Sequence, residues 1–224
     1  MKQIDSEKKL DRLKIDKLLK TIYSNNTTEE INFISNQLLQ ILDDFSEKSA
    51  YEEIRDKERW NESHSVLITY ADSIYKNGEA TLITLRKLLS KHFGSLSKVV
   101  HILPFLKSTS DGGFAVSSYD SLEEKFGGWD DLKSISKNHD LMADLVLNHV
   151  SSSHPWVQQF IKSQEPGISN VFSPKQNLDW SNVVRPRSSS LFSQINTEDG
   201  PKQVWTTFGP DQIDLNWHNP KMTL

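Results

Sequence analysis

Apolar residues recur at helical spacing along the first sixty positions. Leu10, Leu13, Leu18 and Ile22 fall near one face and predict a helix over about 5–23. Thr27-Thr28-Glu29-Glu30 reads as a capping-box start, with a hydroxyl followed three residues later by a carboxylate. Ile31, Ile34, Leu38, Ile41, Leu42 and Phe45 then repeat at the i, i+3, i+4, i+7 positions of a second helix. A third, short helix is predicted from Tyr51 to Arg59. Residues 1–62 thus read as a helical extension. Its apolar stripes suit packing on a larger domain, and a partner-binding arm would present the same pattern.

From Ser65 the period changes. Val66 to Tyr70, Val99 to Leu103 and Leu141 to Leu147 are short apolar runs, predicting buried strands. Between them lie Thr81 to Phe93, with Leu82, Leu85, Leu88 and Leu89, and a helix from Trp129 to Lys137. Gly94 is placed to end the first of these helices. Apolar strands alternating with amphipathic helices predict parallel βαβ units, an α/β fold. A short helix follows over Pro155 to Lys162. Residues 165–203 then lose periodicity and read as a loop-rich insertion after the third strand. Val204 to Phe208 reads as a strand that closes it.

Composition narrows the function classes. The chain has 224 residues, 36% hydrophobic and 25% charged, which suits a folded protein. The net charge of −4 gives no electrostatic reason to expect nucleic acid or anionic lipid. With no cysteine, disulfides and thiolate metal sites are excluded. The N-terminus lacks an apolar signal core. The longest apolar run, about Val99 to Leu106, falls well short of the ~20 residues that span a membrane. A cytoplasmic protein is expected, able to act as a monomer or an oligomer.

Ligands of parallel α/β folds bind at the carboxyl ends of the strands. Asp144, Asn148 and His149 lie at the end of the third predicted strand. Asp144 and Asn148 share parity, and the three together offer the acceptors and donors that sugar hydroxyls need. Local backbone satisfaction would use the same residues. One histidine with one or two oxygen ligands is too few for a closed zinc site. Asp111-Gly112-Gly113-Phe114 is either a plain turn or a carboxylate on bare backbone beside an aromatic platform. Arg185-Pro186-Arg187 is either a solvated basic turn or an anion clamp whose guanidinium forks match phosphate or carboxylate oxygens.

In this order the segments resemble the sucrose-phosphorylase-like branch of the α-amylase superfamily. Leu67-Ile68-Thr69-Tyr70-Ala71-Asp72, Val100-His101-Ile102-Leu103-Pro104-Phe105 and Asp111-Gly112-Gly113-Phe114 carry the likeness. So do Phe126-Gly127-Gly128-Trp129-Asp130-Asp131, Met142 to His149, Arg185-Pro186-Arg187, Val204 to Phe208 and Gln212-Ile213-Asp214. The resemblance implies a (β/α)8 TIM barrel and a retaining phosphorylase. Such an enzyme moves a glucosyl unit from an α-glucoside to inorganic phosphate, giving α-glucose 1-phosphate, without metal or organic cofactor. Asp111 and His149 then hold the glucosyl ring, with Phe114 as their aromatic neighbour. Phe208 and Gln212 line the acceptor side, and Arg187 meets phosphate or the leaving group. Asp144, Asn148 and Arg185 are supporting residues.

The chain departs from sucrose phosphorylases at Phe114-Ala115-Val116-Ser117-Ser118-Tyr119, where those enzymes carry Asp-Pro and an Asp-His pair. Val184 stands where they often carry tyrosine. With the helical extension, these departures look more like glucosylglycerate phosphorylases and favour a glucosylated acid as donor, Arg185 or Arg187 being available for its carboxylate. The expected layout is a first barrel part over 63–164, the insertion over 165–208 and a return to the barrel over 209–224. About three βα units are expected, with Asn219-Pro220 opening the next helix. A retaining transfer needs two carboxyls ~5–5.5 Å apart. The family places them on the fourth and fifth strands, so the nucleophile and acid/base are expected beyond Leu224 and the chain alone is expected to be inactive. The alternatives are a non-catalytic sugar-binding or interaction module, and a hydrolase or transglycosylase of the same superfamily.

Overall fold

The computed structural model describes residues 2–48, 64–94, 96–174, 179–184 and 187–224. They form two compact units: Met1–Lys57 with Asn216–Leu224, and Glu58–Leu215. In the first, α1 (Lys2–Ile22) and α2 (Thr28–Lys48) pack as a helical hairpin. The predicted capping box is present. Thr27 N donates to Glu30 Oε2 at 2.9 Å, and Glu30 N donates to Thr27 Oγ1 at 3.2 Å. The buried row is Leu19, Tyr23, Ile31 and Ile34, with Ile15 and Leu38 against it. Leu13, Leu18, Ile22, Ile41, Leu42 and Phe45 are exposed. Ile15 and Leu19 form an i+4 row along α1 that Tyr23 continues just past its end, so Leu18 and Ile22 turn about 100° away from it. The helix expected over Tyr51 to Arg59 lies outside the described residues. Pro220–Thr223 forms a single 3₁₀ turn, where Asn219 Oδ1 accepts from Lys221 N at 3.1 Å.

In the second unit, β1 (Val66–Thr69), β2 (Val99–Ile102) and β5 (Asp140–Ala143) form a parallel sheet in the order β1-β2-β5. Val66 pairs with Val99, and Val99 with Asp140. The crossover from β1 to β2 runs through α3 (Thr81–Leu88), which passes into a π-helical turn over Leu89–Phe93. Gly94 ends this turn, as its position predicts, in right-handed conformation (φ −57°). Between β2 and β5 lie β3 (Leu106–Ser108), β4 (Val116–Leu122) and α4 (Trp129–Ser136). Leu82, Leu85, Leu89, Val100, Ile102, Leu132 and Ile135 close into one core beneath the sheet. Each such side chain contributes about 1.5–3 kcal/mol by leaving water. The outer strands are less covered: Ile68 is 61% exposed, and all four residues of β5 are exposed.

The third predicted strand is shorter than its apolar run. β5 stops at Ala143, opposite Ile102, the last residue of β2. Pro104 offers no N–H to extend the ladder. Leu145 is 77% exposed, and Asp144 turns to His101. Asp144 and Asn148 therefore share no strand face. His149 opens a separate strand, β6 (His149–Ser151), followed by α5 (Pro155–Ile161) and α6 (Gly167–Asn170).

The aperiodic insertion contains a regular hairpin, β7 (Phe192–Thr197) with β8 (Gly200–Trp205). The strand expected over Val204 to Phe208 starts earlier and ends at Trp205. There Asp214 takes over the chain, accepting from Thr207 N at 3.0 Å and from Thr207 Oγ1 at 2.6 Å. Asp214 closes β9 (Gln212–Asp214), which pairs antiparallel with β6.

Candidate active site

The antiparallel β6–β9 pair is the floor of the candidate site. In its register His149 faces Asp214, and Ser151 faces Gln212. His149 and Gln212 are both nearly fully buried. A second element arrives from the β3–β4 hairpin, whose connecting loop holds a 3₁₀ turn over Asp111–Gly113. This turn carries Asp111 at φ 55°, a left-handed conformation that costs a non-glycine residue about 1–2 kcal/mol.

These two elements bring four of the expected residues together. Gln212 Nε2 donates to Asp111 Oδ2 at 2.9 Å and lies 3.1 Å from His149 Nε2. His149 Nε2 is 3.1 Å from the carbonyl oxygen of Phe114. A carbonyl only accepts, so Nε2 carries the proton of that bond, and Nδ1 is left as an acceptor turned to the Asn148 amide at 3.5 Å. The Phe208 ring lies 5.0 Å from the imidazole at a 49° tilt. Arg187 reaches the same ring, its guanidinium carbon 5.8 Å from the centroid. Phe114 enters through its backbone. Asp144 is not part of this group: its carboxylate meets His101 Nε2 at 3.0 Å. Arg185 lies outside the described residues.

The electrostatics favour a neutral imidazole. Burial pushes the His149 pKa down, and the Phe114 carbonyl with the charges of Asp214 and Asp111 only partly restores it. Burial raises the Asp214 carboxyl against the opposing bonds from Thr207 and Asn148. The result is a wall of mixed donors and acceptors beside an aromatic face, suited to hydroxyls on one side and C–H groups on the other.

Three residues escaped the sequence reading. Asp211 ties the Asp111 loop to the end of β6, accepting from Thr109 Oγ1 at 2.6 Å and Ser110 Oγ at 2.8 Å, and also from Ser152 Oγ. Its position just before Gln212 was the available signal. His101 partners Asp144, visible only as a polar residue within an apolar strand. Tyr119 donates to the Val146 carbonyl at 2.6 Å, holding the segment that leads to His149. A cleft of about 330 Å³ lies beside the turn, lined by Tyr70, Asp72, Ser110, Gly112 and Lys125 among others. Its charged groups are already engaged, Lys125 with Asp72 at 2.7 Å and Glu123 with Ser108 N at 2.8 Å. The cluster around His149 is therefore the stronger candidate. Among the described residues, no group of three or more His, Asp or Glu side chains is placed to hold a metal ion.

Residues 92–223 match the family described as Alpha amylase, catalytic domain, and the chain belongs to that family. It is 42% identical over 165 residues to glucosylglycerate phosphorylase of Allomeiothermus silvanus, covering 74% of this chain and 30% of that protein. The sucrose phosphorylase of Streptococcus mutans is 32% identical over 163 residues, covering 68% and 33%. Among solved structures, the sucrose 6F-phosphate phosphorylase from Thermoanaerobacter thermosaccharolyticum aligns with TM-score 0.64 and 32% identity, over 72% of this chain and 35% of that one. The chain thus spans about a third of the length of the relatives it matches. The fold is of the TIM-barrel α/β type.

Proposed function

We propose that this chain forms the donor-sugar side of a retaining glycoside phosphorylase that passes a glucosyl unit from an α-glucoside to phosphate. The observation that carries the reading is the convergence of Asp111, Gln212 and His149 beside the Phe208 ring. A carboxylate, an amide and a neutral imidazole offer hydrogen bonds to adjacent hydroxyls, and the ring offers an apolar face. Arg187 over Phe208 supplies a cation at the rim for phosphate or a substrate carboxylate. That cation, with the similarity to glucosylglycerate phosphorylases, favours a glucosylated acid over sucrose as donor.

The two carboxyls of the reaction lie, on this reading, on barrel strands other than β1, β2 and β5. Asp111 is bonded to Gln212, Asp144 to His101 and Asp214 to Thr207, so each has a positioning partner rather than a free approach to an anomeric carbon. The incomplete sheet and the exposed β5 accord with three of the eight strands of a barrel. The insertion, about 165–208, would roof the acceptor side.

The test joins residues 1–224 to the remaining two-thirds of the Allomeiothermus silvanus enzyme. The expected result is phosphate-dependent release of α-glucose 1-phosphate from glucosylglycerate, faster than from sucrose. Phosphate-independent release of glucose would replace the phosphorylase reading with hydrolysis. Sugar binding without turnover would leave a binding module. Turnover by residues 1–224 alone would overturn the placement of the two carboxyls.

A further inference from the structure

Asp111 and Gln212, the two residues that meet in the site, are each preceded by a residue of one hydroxyl–carboxylate knot. Ser110 and Thr109 donate to Asp211 Oδ2 at 2.8 and 2.6 Å, and Ser152 donates to Asp211 Oδ1. The backbone oxygen of Asp211 also accepts from Ser152 N at 3.0 Å. Ser151, buried in β6, shares a hydrogen bond with Thr109 at 2.6 Å. The knot therefore joins three segments: the β3–β4 loop, the end of β6 and the start of β9.

The chemistry suits a carboxylate. It accepts only, offers about four lone-pair sites, and binds three rotatable hydroxyls at once without offering a competing donor. Burial raises its pKa, but the bonds from Ser152, Thr109 and Ser110 outweigh this and leave the group below the ordinary aspartate value. It is charged at neutral pH, which strengthens each bond. The adjacent Asp111 needs holding, because its left-handed backbone persists only where the surroundings fix it.

We propose that Asp211 is a positioning residue whose carboxylate holds the Asp111 turn against β6 and β9, so that Asp111, Gln212 and His149 act as one grip on the sugar. The sugar part rests on the function proposed above; the clamp does not.

The two are separated by measuring the 224-residue chain in two ways. NMR of the Gln212 side-chain amide, the His149 ring nitrogens and amide-proton exchange over Asp111–Phe114 reads the clamp. Titration with D-glucose reads the sugar grip. Asp211→Ala should move the Gln212 and His149 signals, speed exchange in the turn and weaken glucose binding about tenfold, the loss of roughly one charged hydrogen bond. Asp211→Asn keeps one acceptor oxygen and should recover part of each effect. Unchanged Gln212, His149 and turn signals in Asp211→Ala would overturn the clamp, as would weaker glucose binding with those signals unmoved. If Asp211→Ala fails to fold, Ser110→Ala removes a single exposed hydroxyl, and the same signals decide the matter. Absence of glucose binding by the unmodified chain counts against the sugar reading and leaves the clamp to the NMR result.

Discussion

Gln212 donates from Nε2 to Asp111 Oδ2 at 2.9 Å, joining side chains 101 residues apart. The amide is buried, while the carboxylate is exposed and charged. Gln212→Leu preserves the volume and removes the donor. A hydrogen bond to a charged group is worth about 1.5–3 kcal/mol, with exposure of Asp111 placing the loss near the lower end. The urea midpoint should fall accordingly. Gln212→Glu sets two carboxylates together, which raises their pKa values in the folded state. Its stability should therefore be greatest at acidic pH and fall as pH rises through the carboxylate range, a trend visible in thermal melts of this variant against the parent.

The turn that presents Asp111 rests on Gly113. Its φ is +107°, and an added Cβ would overlap the Pro104 carbonyl and lie 2.9 Å from Pro104 Cβ. Gly113→Ala should cost about 2–4 kcal/mol, combining backbone strain with a clash against rigid backbone. At Gly112 the φ of +62° is one that alanine adopts at moderate cost, and the nearest atom is a Tyr70 ring carbon at 3.4 Å. Gly112→Ala should cost only about 1 kcal/mol. Equal losses in denaturant titrations of the two variants would show that Pro104 does not set the turn.

The strand–helix alternation was legible because β2 and α3 bury their apolar stripes in one core, and burial is what periodicity records. The end of β5 was not legible. Leu145 and Leu147 continue the apolar run, but the ladder stops where β2 reaches Pro104, a fact about the neighbouring strand. The β7–β8 hairpin was poorly legible: Phe192 and Ile195 do not alternate, and the two turn residues are Glu198 and Asp199, with Gly200 already paired to Thr197. In the site, Asp111, His149, Phe208 and Gln212 stood out through motif order. Asp211 is marked in the sequence only by its place before Gln212, and its role appears when Ser110 and Ser152 arrive from distant segments.

Acid should destabilise the fold through its histidines. Burial lowers the pKa of both His149 and His154 in the folded state. The unfolded chain then binds protons more readily, so this stability is complete above the ordinary value of 6.5 and is lost as pH falls through it. Asp214 is raised by burial and works in the opposite direction, losing stability as pH rises, so it does not produce an acid loss. His154 Nδ1 accepts from Trp156 N at the start of α5, a capping role that asparagine also fills. His154→Asn should keep the helix and flatten the fall in Tm between about pH 7 and pH 5.5. An unchanged slope would remove His154 from the account.

The helical hairpin is open to an independent test at its cap. Thr27 and Glu30 satisfy each other's backbone N–H at the start of α2. Thr27→Ala removes one half of this exchange and should cost about 1 kcal/mol. Amide exchange over the first turn of α2 should speed up, while exchange in β2 stays as it was if the two compact units open separately. Faster exchange in β2 as well would show that they unfold as one.

Arg187 separates the phosphate reading from a solvated turn. Its side chain is exposed, and its guanidinium carbon lies 5.8 Å from the Phe208 ring centroid, a contact worth about 0.5–1 kcal/mol at such a site. Arg187→Ala should therefore leave stability within about 1 kcal/mol of the parent. In the fusion with the Allomeiothermus silvanus enzyme, the KM for phosphate should rise about tenfold or more, since a charge-assisted bond to an anion is lost. Arg187→Lys keeps the charge without the fork and should restore only part of the loss. A rise in the KM for glucosylglycerate alone would reassign the cation to the donor's carboxylate. If neither KM moves, Arg187 belongs to a basic turn that packs on Phe208 and binds no substrate.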